Sequence, residues 1–382
     1  MAKPELVLPI GLPASGKTSF AKAWQNEDPD GRVRVNYDDL RLGMYGPDSG
    51  WHQPGCAAQG GKSTIREDGC GCVWVWNRKD EEAMKASARR IVKAALQAGL
   101  SVVVDNTNLS RHVRASWQDF GRDLGAEYIE RDIDTPIEEC IRRDRLRARE
   151  CGTCHISYAS TDPTTSCKMC GSVLGGARVG QAVIDGMALR YGLLDWEEHG
   201  RNCHIRGTCT GASTVPICVV DIDSTIADDN KRIHHITPAL HDDQCDRIHC
   251  QCLLRGYMPY KDWASYFAEV ANDTPILPMV KLLERLHDHL IVLVSGRPVS
   301  NGATPVGILT EDWLLRHNIH WDRLFLKTDN FHQKSPDFKR EIVEHLPLKR
   351  VKYVFDDDAR CVTMYREQLP HALVAQVAEG RS

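Results

Sequence analysis

The sequence predicts an α/β protein of two domains, each built on a parallel sheet, and three observations carry that expectation. Short apolar runs alternate with amphipathic stretches along most of the 382 residues. A complete P-loop, Gly11-Leu12-Pro13-Ala14-Ser15-Gly16-Lys17-Thr18, follows the first of those runs. The motif Asp221-Ile222-Asp223-Ser224-Thr225 follows another in the second half of the chain. Strands that alternate with helices make a parallel sheet covered on both faces, and a chain of this length supports two cores. Residues 195–215 turn polar and rich in Gly and Thr, which sets a first domain at 1–200, a linker at 201–215 and a second domain at 216–382.

Taken in order, residues 5–10 read as a buried strand running into the P-loop, and a helix begins at Lys17 and extends to Asn26. Val33 to Val35 is a second strand, and Tyr37 to Met44 a helix. Between Lys79 and Ala98 the residues Met84, Ala88, Ile91, Val92, Ala95 and Leu96 recur at helical spacing. Ser101 to Asp105 is a buried strand, Tyr128-Ile129 another, and an arginine-rich helix follows Pro136. In the second domain Ile217–Val220, Leu290–Val294 and Val351–Phe355 read as strands and Pro278–His287 as a helix.

A net charge of −4 gives no global basicity to advertise a nucleic-acid partner. The N-terminus lacks a signal-peptide layout, and no run approaches the ~18 apolar residues of a membrane span. The expectation is a soluble cytoplasmic protein (in the host cytoplasm if viral) with no membrane partner. Fifteen cysteines, clustered in close pairs with His nearby, point to metal sites rather than disulfides.

In the P-loop, Gly11, Ser15 and Gly16 let the backbone wrap a phosphate with its N–H groups turned inward, at the start of a helix. Lys17 reaches the β/γ-phosphates of ATP or another NTP, and Thr18 offers a hydroxyl to Mg²⁺. Just past the second strand, Asn36-Tyr37-Asp38-Asp39-Leu40-Arg41 places a carboxylate and a guanidinium at the edge where such sheets bind ligands. Asp38 is a candidate base for an attacking hydroxyl and Arg41 a holder of an acceptor phosphate; a helix cap at Asp38 with Arg41 as surface charge is the plainer alternative. Asp105-Asn106-Thr107-Asn108 ends a buried strand, where polar groups need partners, and a place beside the acceptor competes with simple capping.

These three motifs together resemble the kinase half of the polynucleotide kinase–phosphatase end-healing enzymes, especially the bacteriophage type. The resemblance implies Asp38 as general base for a 5′-hydroxyl and Arg41 and Asn106 as acceptor contacts. It also implies a lid arginine on the transferring phosphoryl group, drawn from Arg142, Arg143, Arg145, Arg147 and Arg178.

In the second domain Asp221 is placed to attack phosphorus, and Asp223 to protonate the leaving group and later activate water. Carboxylates this close require a cation, so Mg²⁺ is expected. The motif resembles the first motif of haloacid-dehalogenase-type phosphatases, whose fold implies a Rossmann-like sheet. The resemblance extends to Ser295-Gly296-Arg297 after a strand, to Lys334, and to Asp356-Asp357. It implies that Ser295, Thr225 and Arg297 hold the phosphate, Lys334 neutralises it, and Asp221, Asp223, Asp356 and Asp357 hold Mg²⁺. Ser224 departs from the usual Gly, where a side chain would crowd substrate or demand a backbone angle that Gly favours.

Cys151-x2-Cys154 and Cys167-x2-Cys170 have zinc-ribbon spacing, enough for one tetrahedral Zn²⁺ within an insert at 151–170. His52, Cys56, Cys70 and Cys72 form a second candidate Zn²⁺ set. Cys245, His249, Cys250 and Cys252 form a third, in an insert at about 234–256 of the second domain.

The resulting reading is a bifunctional enzyme on DNA or RNA ends. One domain phosphorylates a 5′-hydroxyl from an NTP, the other removes a 3′-phosphate, and the products suit a nucleic-acid ligase. The rivals are a small-molecule kinase fused to a nucleotidase, and a zinc-bearing nucleic-acid-binding scaffold with an inactive phosphatase domain. Oligomeric state is not legible.

Overall fold

The computed structural model describes residues 3–45, 49–50, 63–64, 78–146, 149–151, 157–158, 174–175, 178–194, 196, 215–236, 262–301, 304–328 and 333–377. The chain divides into two compact units, residues 1–180 with 190–193, and residues 181–189 with 194–382.

The first unit runs β1 (Glu5–Ile10), α1 (Lys17–Asn26), β2 (Arg32–Asn36), α2 (Tyr37–Tyr45), the short pair β3 (Ser49–Gly50) and β4 (Ser63–Thr64), α3 (Arg78–Gln97), β5 (Ser101–Asp105), α4 (Arg111–Asp123), β6 (Glu127–Asp132) and α5 (Ile137–Arg145). Four strands form a parallel sheet in the order β2-β5-β1-β6. Alternate side chains of a strand face opposite ways. Leu6, Leu8, Val102 and Val104 therefore pack on Ala88, Val92 and Trp117, while Val7 and Val103 pack on Ala21 and Trp24. Helix α4 escaped the sequence reading; of its 13 residues only Trp117 and Gly121 are buried. Beyond α5, β7 (Arg149–Cys151), β8 (Ser157–Tyr158) and β9 (Leu174–Gly175) form an antiparallel sheet in the order β8-β7-β9, with Cys151 opposite Leu174.

The second unit runs α6 (Gln181–Arg190), β10 (Ile217–Val220), β11 (Ala227–Asp228), α7 (Trp263–Ala268), β12 (Thr274–Pro275), α8 (Leu277–Arg285), β13 (Leu290–Pro298), α9 (Val306–Arg316), β14 (Arg323–Lys327), α10 (Ser335–Glu344), β15 (Val351–Asp356), α11 (Ala359–Gln368) and β16 (Leu373–Gln376). Its five-stranded sheet, β14-β13-β10-β15-β16, is parallel throughout. Cys218 and Val220 face Val280, Leu283, Trp313 and Leu314; Ile217 and Val219 face Phe338, Ile342, Val362 and Tyr365. Helix α9 was missed too. Its buried face carries Val306, Gly307, Thr310, Glu311, Trp313 and Leu314, and the polar Thr310 and Glu311 interrupt the apolar pattern that would mark it.

Helix α6 places the domain division earlier than the expected boundary at residue 200. Ala182 joins the core around β10, and Leu189, Leu194 and Trp196 pack on the other face of the same sheet. A buried polar network fixes the helix: Trp321 Nε1 donates to Gln181 Oε1 at 3.0 Å, and the Leu324 amide donates to Asp185 Oδ2 at 2.9 Å. The expected linker lies almost wholly outside the described residues.

Candidate functional site

Each unit gathers its chemistry at the carboxyl ends of its central strands, where parallel sheets leave a crevice. In the first unit Gly16 takes φ +106°, a left-handed angle that lets the P-loop turn into α1. Lys17 is buried, and its Nζ donates to Leu12 O at 2.6 Å and Ser15 Oγ at 3.3 Å, curling back over the loop. Thr18 Oγ1 donates to Asp105 Oδ1 at 3.3 Å. Asp105, at the end of β5 and 1% exposed, also accepts from Arg34 Nε at 2.8 Å. A hydroxyl beside a buried carboxylate is a hard-oxygen pair suited to Mg²⁺. The polar run after a buried strand was the signal for Asp105, although its partnership with Thr18 was not read from it.

Asn36, not Asp38, caps α2: its Oδ1 accepts the amides of Asp38 at 2.9 Å and Asp39 at 3.0 Å. The Asp38 carboxylate stands outward, 84% exposed, and accepts from Arg41 Nη1 at 2.5 Å. Arg41 is held mainly by a bidentate pair to Glu81 at 2.9 and 3.0 Å, so in this conformation its guanidinium is already engaged. Asn106 Oδ1 accepts the Tyr37 amide at 3.4 Å, tying the end of β5 to α2. Of the candidate lid arginines, Arg143 reaches the P-loop, donating to Ser15 O at 3.3 Å. Arg178 is buried just before Val179 and Gly180, whose amides donate to Asp144 at 3.1 and 2.9 Å; Arg147 lies outside the described residues.

In the second unit β10 ends at Asp221, whose amide donates to Phe355 O at 2.9 Å, so the three strand ends β10, β13 and β15 converge. Asp221, Asp356 and Asp357 each place an oxygen within 4.8 Å of the others. Oxygens around one Mg²⁺ stand about 3 to 4 Å apart, so the trio fits that ion with little movement. Lys339 Nζ bonds Asp221 at 2.9 Å and Asp356 at 2.6 Å. Burial opposes its charge, yet the two carboxylates outweigh that and hold its pKa well above the usual lysine range. One lysine cannot balance three acids. Burial, reinforced by neighbouring carboxylates, raises Asp221 well above its usual range and Asp357 to about 6.

Lys339 thus corrects Lys334, which is exposed at the N-cap of α10 and away from the pocket. The sequence did carry a signal, since Lys339 sits on the helix face that buries Phe338, Ile342 and Val343. Asp223 is not among the three clustered acids. It accepts from Arg297 Nη2 at 2.7 Å and from Arg232 Nη2. Burial raises its pKa, but Arg297 and Arg232 together drive it well below the ordinary carboxylate range. Behind them the buried Asp273 accepts from Arg232 Nε at 2.7 Å and Arg297 Nη2 at 2.8 Å. Nothing in the sequence marked Arg232 or Asp273, the first hidden in a charged run and the second in a turn. Ser295 is fully buried, and its Oγ accepts the Arg297 amide at 3.3 Å. Thr225 is also fully buried, its hydroxyl without a hydrogen-bond partner among the described residues.

Ser224 takes the left-handed angle that its position predicts, φ +54°. Its hydroxyl is engaged, donating to Asp229 Oδ1 at 2.9 Å, and both residues line the pocket. Glycine would relieve roughly 1 kcal/mol of backbone strain and forfeit a hydrogen bond of about the same worth. Ser224→Gly is therefore expected to change stability by under about 1 kcal/mol and phosphatase rate by no more than a few-fold. Thermal melting and phosphate release check both, and a hundred-fold change in rate would contradict this account.

Of the cysteine sets, only the backbone of Cys151 is described. Cys154, Cys167, Cys170, His52, Cys56, Cys70, Cys72, Cys245, His249, Cys250 and Cys252 lie outside the described residues. No helix among the described residues is long and apolar enough to cross a membrane.

Residues 6–156 match the family profile of an AAA domain, and residues 252–381 match that of the polynucleotide kinase PNKP phosphatase domain. A curated relative, the L-seryl-tRNA(Sec) kinase of Methanococcus maripaludis, is 24% identical over 145 residues, 38% of this chain and 47% of that protein. The chain thus spans about half the length of the curated relative it matches. Among solved structures, a Pnkp1/Rnl/Hen1 complex is 19% identical, with 100% of this chain and 99% of that chain covered, at a TM-score of 0.32. The Mycobacterium tuberculosis APS kinase CysC with AMPPNP and APS is 20% identical, with 38% and 70% covered, at 0.26. Scores this low say nothing about function. The first match spans the P-loop site, and the second, beginning at residue 252, spans Ser295, Arg297, Lys339, Asp356 and Asp357 but not Asp221 or Asp223; the chain thus carries a P-loop kinase domain followed by a phosphatase domain of the polynucleotide kinase PNKP kind.

Proposed function

We propose that the chain heals broken nucleic-acid ends, adding a phosphate at a 5′-hydroxyl and removing one from a 3′ end. The observation that carries this reading is the pair of separate phosphate sites: Lys17, Thr18 and Asp105 in one unit, and Asp221, Lys339 and Arg297 in the other. In the kinase site Asp38 takes the proton of the 5′-hydroxyl, Lys17 and Arg143 stabilise the phosphoryl group in flight, and Arg41 leaves Glu81 to hold the acceptor. The 84% exposure of the Asp38 carboxylate suits a group that meets a polymer end.

In the phosphatase site Asp221 attacks phosphorus, the bond to the 3′-oxygen breaks, and an aspartyl-phosphate forms. Arg297, Arg232 and Lys339 bind the phosphate oxygens, with the Ser295 and Thr225 hydroxyls. As the two arginines turn to the phosphate, Asp223 is released, takes a proton from solvent and gives it to the departing 3′-oxygen. It then takes one from the water that attacks the aspartyl-phosphate, freeing inorganic phosphate and the Asp221 carboxylate. Asp221, Asp356 and Asp357 would hold Mg²⁺, which would supply the positive charge for these acids and a phosphate to share one site. The products, a 5′-phosphate and a 3′-hydroxyl, are the ends that a ligase joins.

Two assays test the reading. Label from γ-labelled ATP is expected on a 5′-hydroxyl strand, and free phosphate from a 3′-phosphorylated one, both lost on chelation of Mg²⁺. Transfer to a nucleoside but not to a strand would favour a small-molecule kinase instead.

The zinc reading rests on the spacing of Cys151, Cys154, Cys167 and Cys170, and is supported by the short antiparallel sheet around Cys151, with β7 paired to both β8 and β9. Elemental analysis of the purified chain is expected to find at least one zinc per molecule, lost when Cys167 and Cys170 are replaced by Ser. Zinc content unchanged by those replacements would remove the ribbon.

A further inference from the structure

The phosphatase pocket is larger than its phosphate-binding groups require and has a wall that the chemistry above does not use. The cavity is about 410 Å³, within the range of small-ligand sites. Most of its lining is polar, Asp221, Asp223, Ser295, Arg297 and Lys339 among it, but Ile233, Ile236, Trp263, Tyr266 and Phe267 add an apolar wall. The aromatic residues all come from the single helix α7. Trp263 and Phe267, one turn apart, lie nearly parallel at 18° with centroids 5.6 Å apart. Tyr266 stands edge-on to both, at 5.5 and 5.1 Å.

This wall is tied to the phosphate site. The Arg232 guanidinium that pairs with Asp223 lies 4.1 Å from the centre of the Tyr266 ring, and Tyr266 Oη donates to Asp229 Oδ2 at 2.8 Å. Tyr266 and Phe267 are 5% and 4% exposed and serve as backing, whereas Trp263 is only partly buried. Asp262 caps the helix by accepting the Ser265 amide at 3.0 Å, and Asn301 Nδ2 donates to Trp263 O at 3.0 Å, so the indole sits on a fixed backbone. A rigid aromatic ring beside a phosphate site suits a flat, apolar group attached to that phosphate by a short linker, which describes a nucleoside.

We propose that Trp263, backed by Phe267, is the platform on which the terminal base of a 3′-phosphorylated strand stacks. The proposal rests on the reading of this unit as a 3′-phosphatase for nucleic-acid ends and adds what part of the end it grips. Stacking accepts any base, so the platform selects nucleoside ends over other phosphate esters without reading sequence.

The test compares two strands, one ending in an ordinary nucleoside 3′-phosphate and one in an abasic 3′-phosphate, with the full chain. The wild-type enzyme is expected to favour the base-bearing end in kcat/KM by about 5- to 100-fold, mostly through KM. Trp263→Ala is expected to collapse that ratio toward one, and Trp263→Phe to keep most of it. A ratio unchanged in Trp263→Ala, or an equal loss on both ends as from damaged folding, overturns the platform while leaving the phosphatase reading intact. Hydrolysis of neither end by the wild-type chain overturns the phosphatase reading and the platform with it.

Discussion

Asp221→Asn is expected to lower 3′-phosphate hydrolysis by at least about 10⁴-fold while leaving transfer to a 5′-hydroxyl at the wild-type rate. The asparagine keeps the shape of the carboxylate and its place after β10, but cannot serve as the nucleophile. Removing one acid also lowers the charge opposite Lys339, so the unit is expected to stay folded. The reciprocal variant, Lys17→Ala, is expected to abolish transfer and spare hydrolysis, because Lys17 belongs to the P-loop of the first unit, where it bonds Leu12 and Ser15. Separate assays of the two ends check both variants. Loss of both activities from either change would contradict two independent sites.

Lys339→Ala is expected to damage stability as well as rate. Lys339 is 2% exposed and sits between Asp221 and Asp356, so its removal leaves two buried carboxylates facing each other. Breaking a buried pair in this way costs about 3–5 kcal/mol, which lowers the melting temperature of a domain this size by on the order of 10 °C. Mg²⁺ is expected to restore part of that loss in the variant, since the three acids of its site are then the ones left unbalanced. Melting with and without chelator measures the effect. A variant that melts with the wild type in chelator would show that the Lys339 pairs carry no net stability.

The parallel order of both sheets was legible because β1, β5, β10 and β13 are continuous apolar runs ending in polar motifs, the mark of strands buried on both faces. The P-loop and the acids Asp221, Asp223, Asp356 and Asp357 were legible for the same reason, each standing just past such a run. What the sequence hid depends on distance along the chain. Arg232 and Asp273 lie 41 residues apart yet share one ion pair, and Lys339 meets Asp356 from a different helix. Arg232 reads as a surface charge and proves fully buried, because its partners, Asp223 after β10 and Asp273 just before β12, come from elsewhere in the chain. Lys334 was chosen for its order in the chain, and order does not fix which side of α10 a lysine takes. Helix α6 was assigned to the wrong unit because the polar linker after it outweighed Gln181 and Asp185, whose role shows only against Trp321 and Leu324.

The central claim is that one chain carries two phosphate sites acting on opposite ends of one strand. A single strand bearing a 5′-hydroxyl and a 3′-phosphate, incubated with ATP and Mg²⁺ and followed at each end by a separate label, tests it most directly. The expected result is gain of phosphate at the 5′ end and its loss at the 3′ end, with Lys17→Ala blocking only the first and Asp221→Asn only the second. Change at neither end, with both units folded, would contradict it.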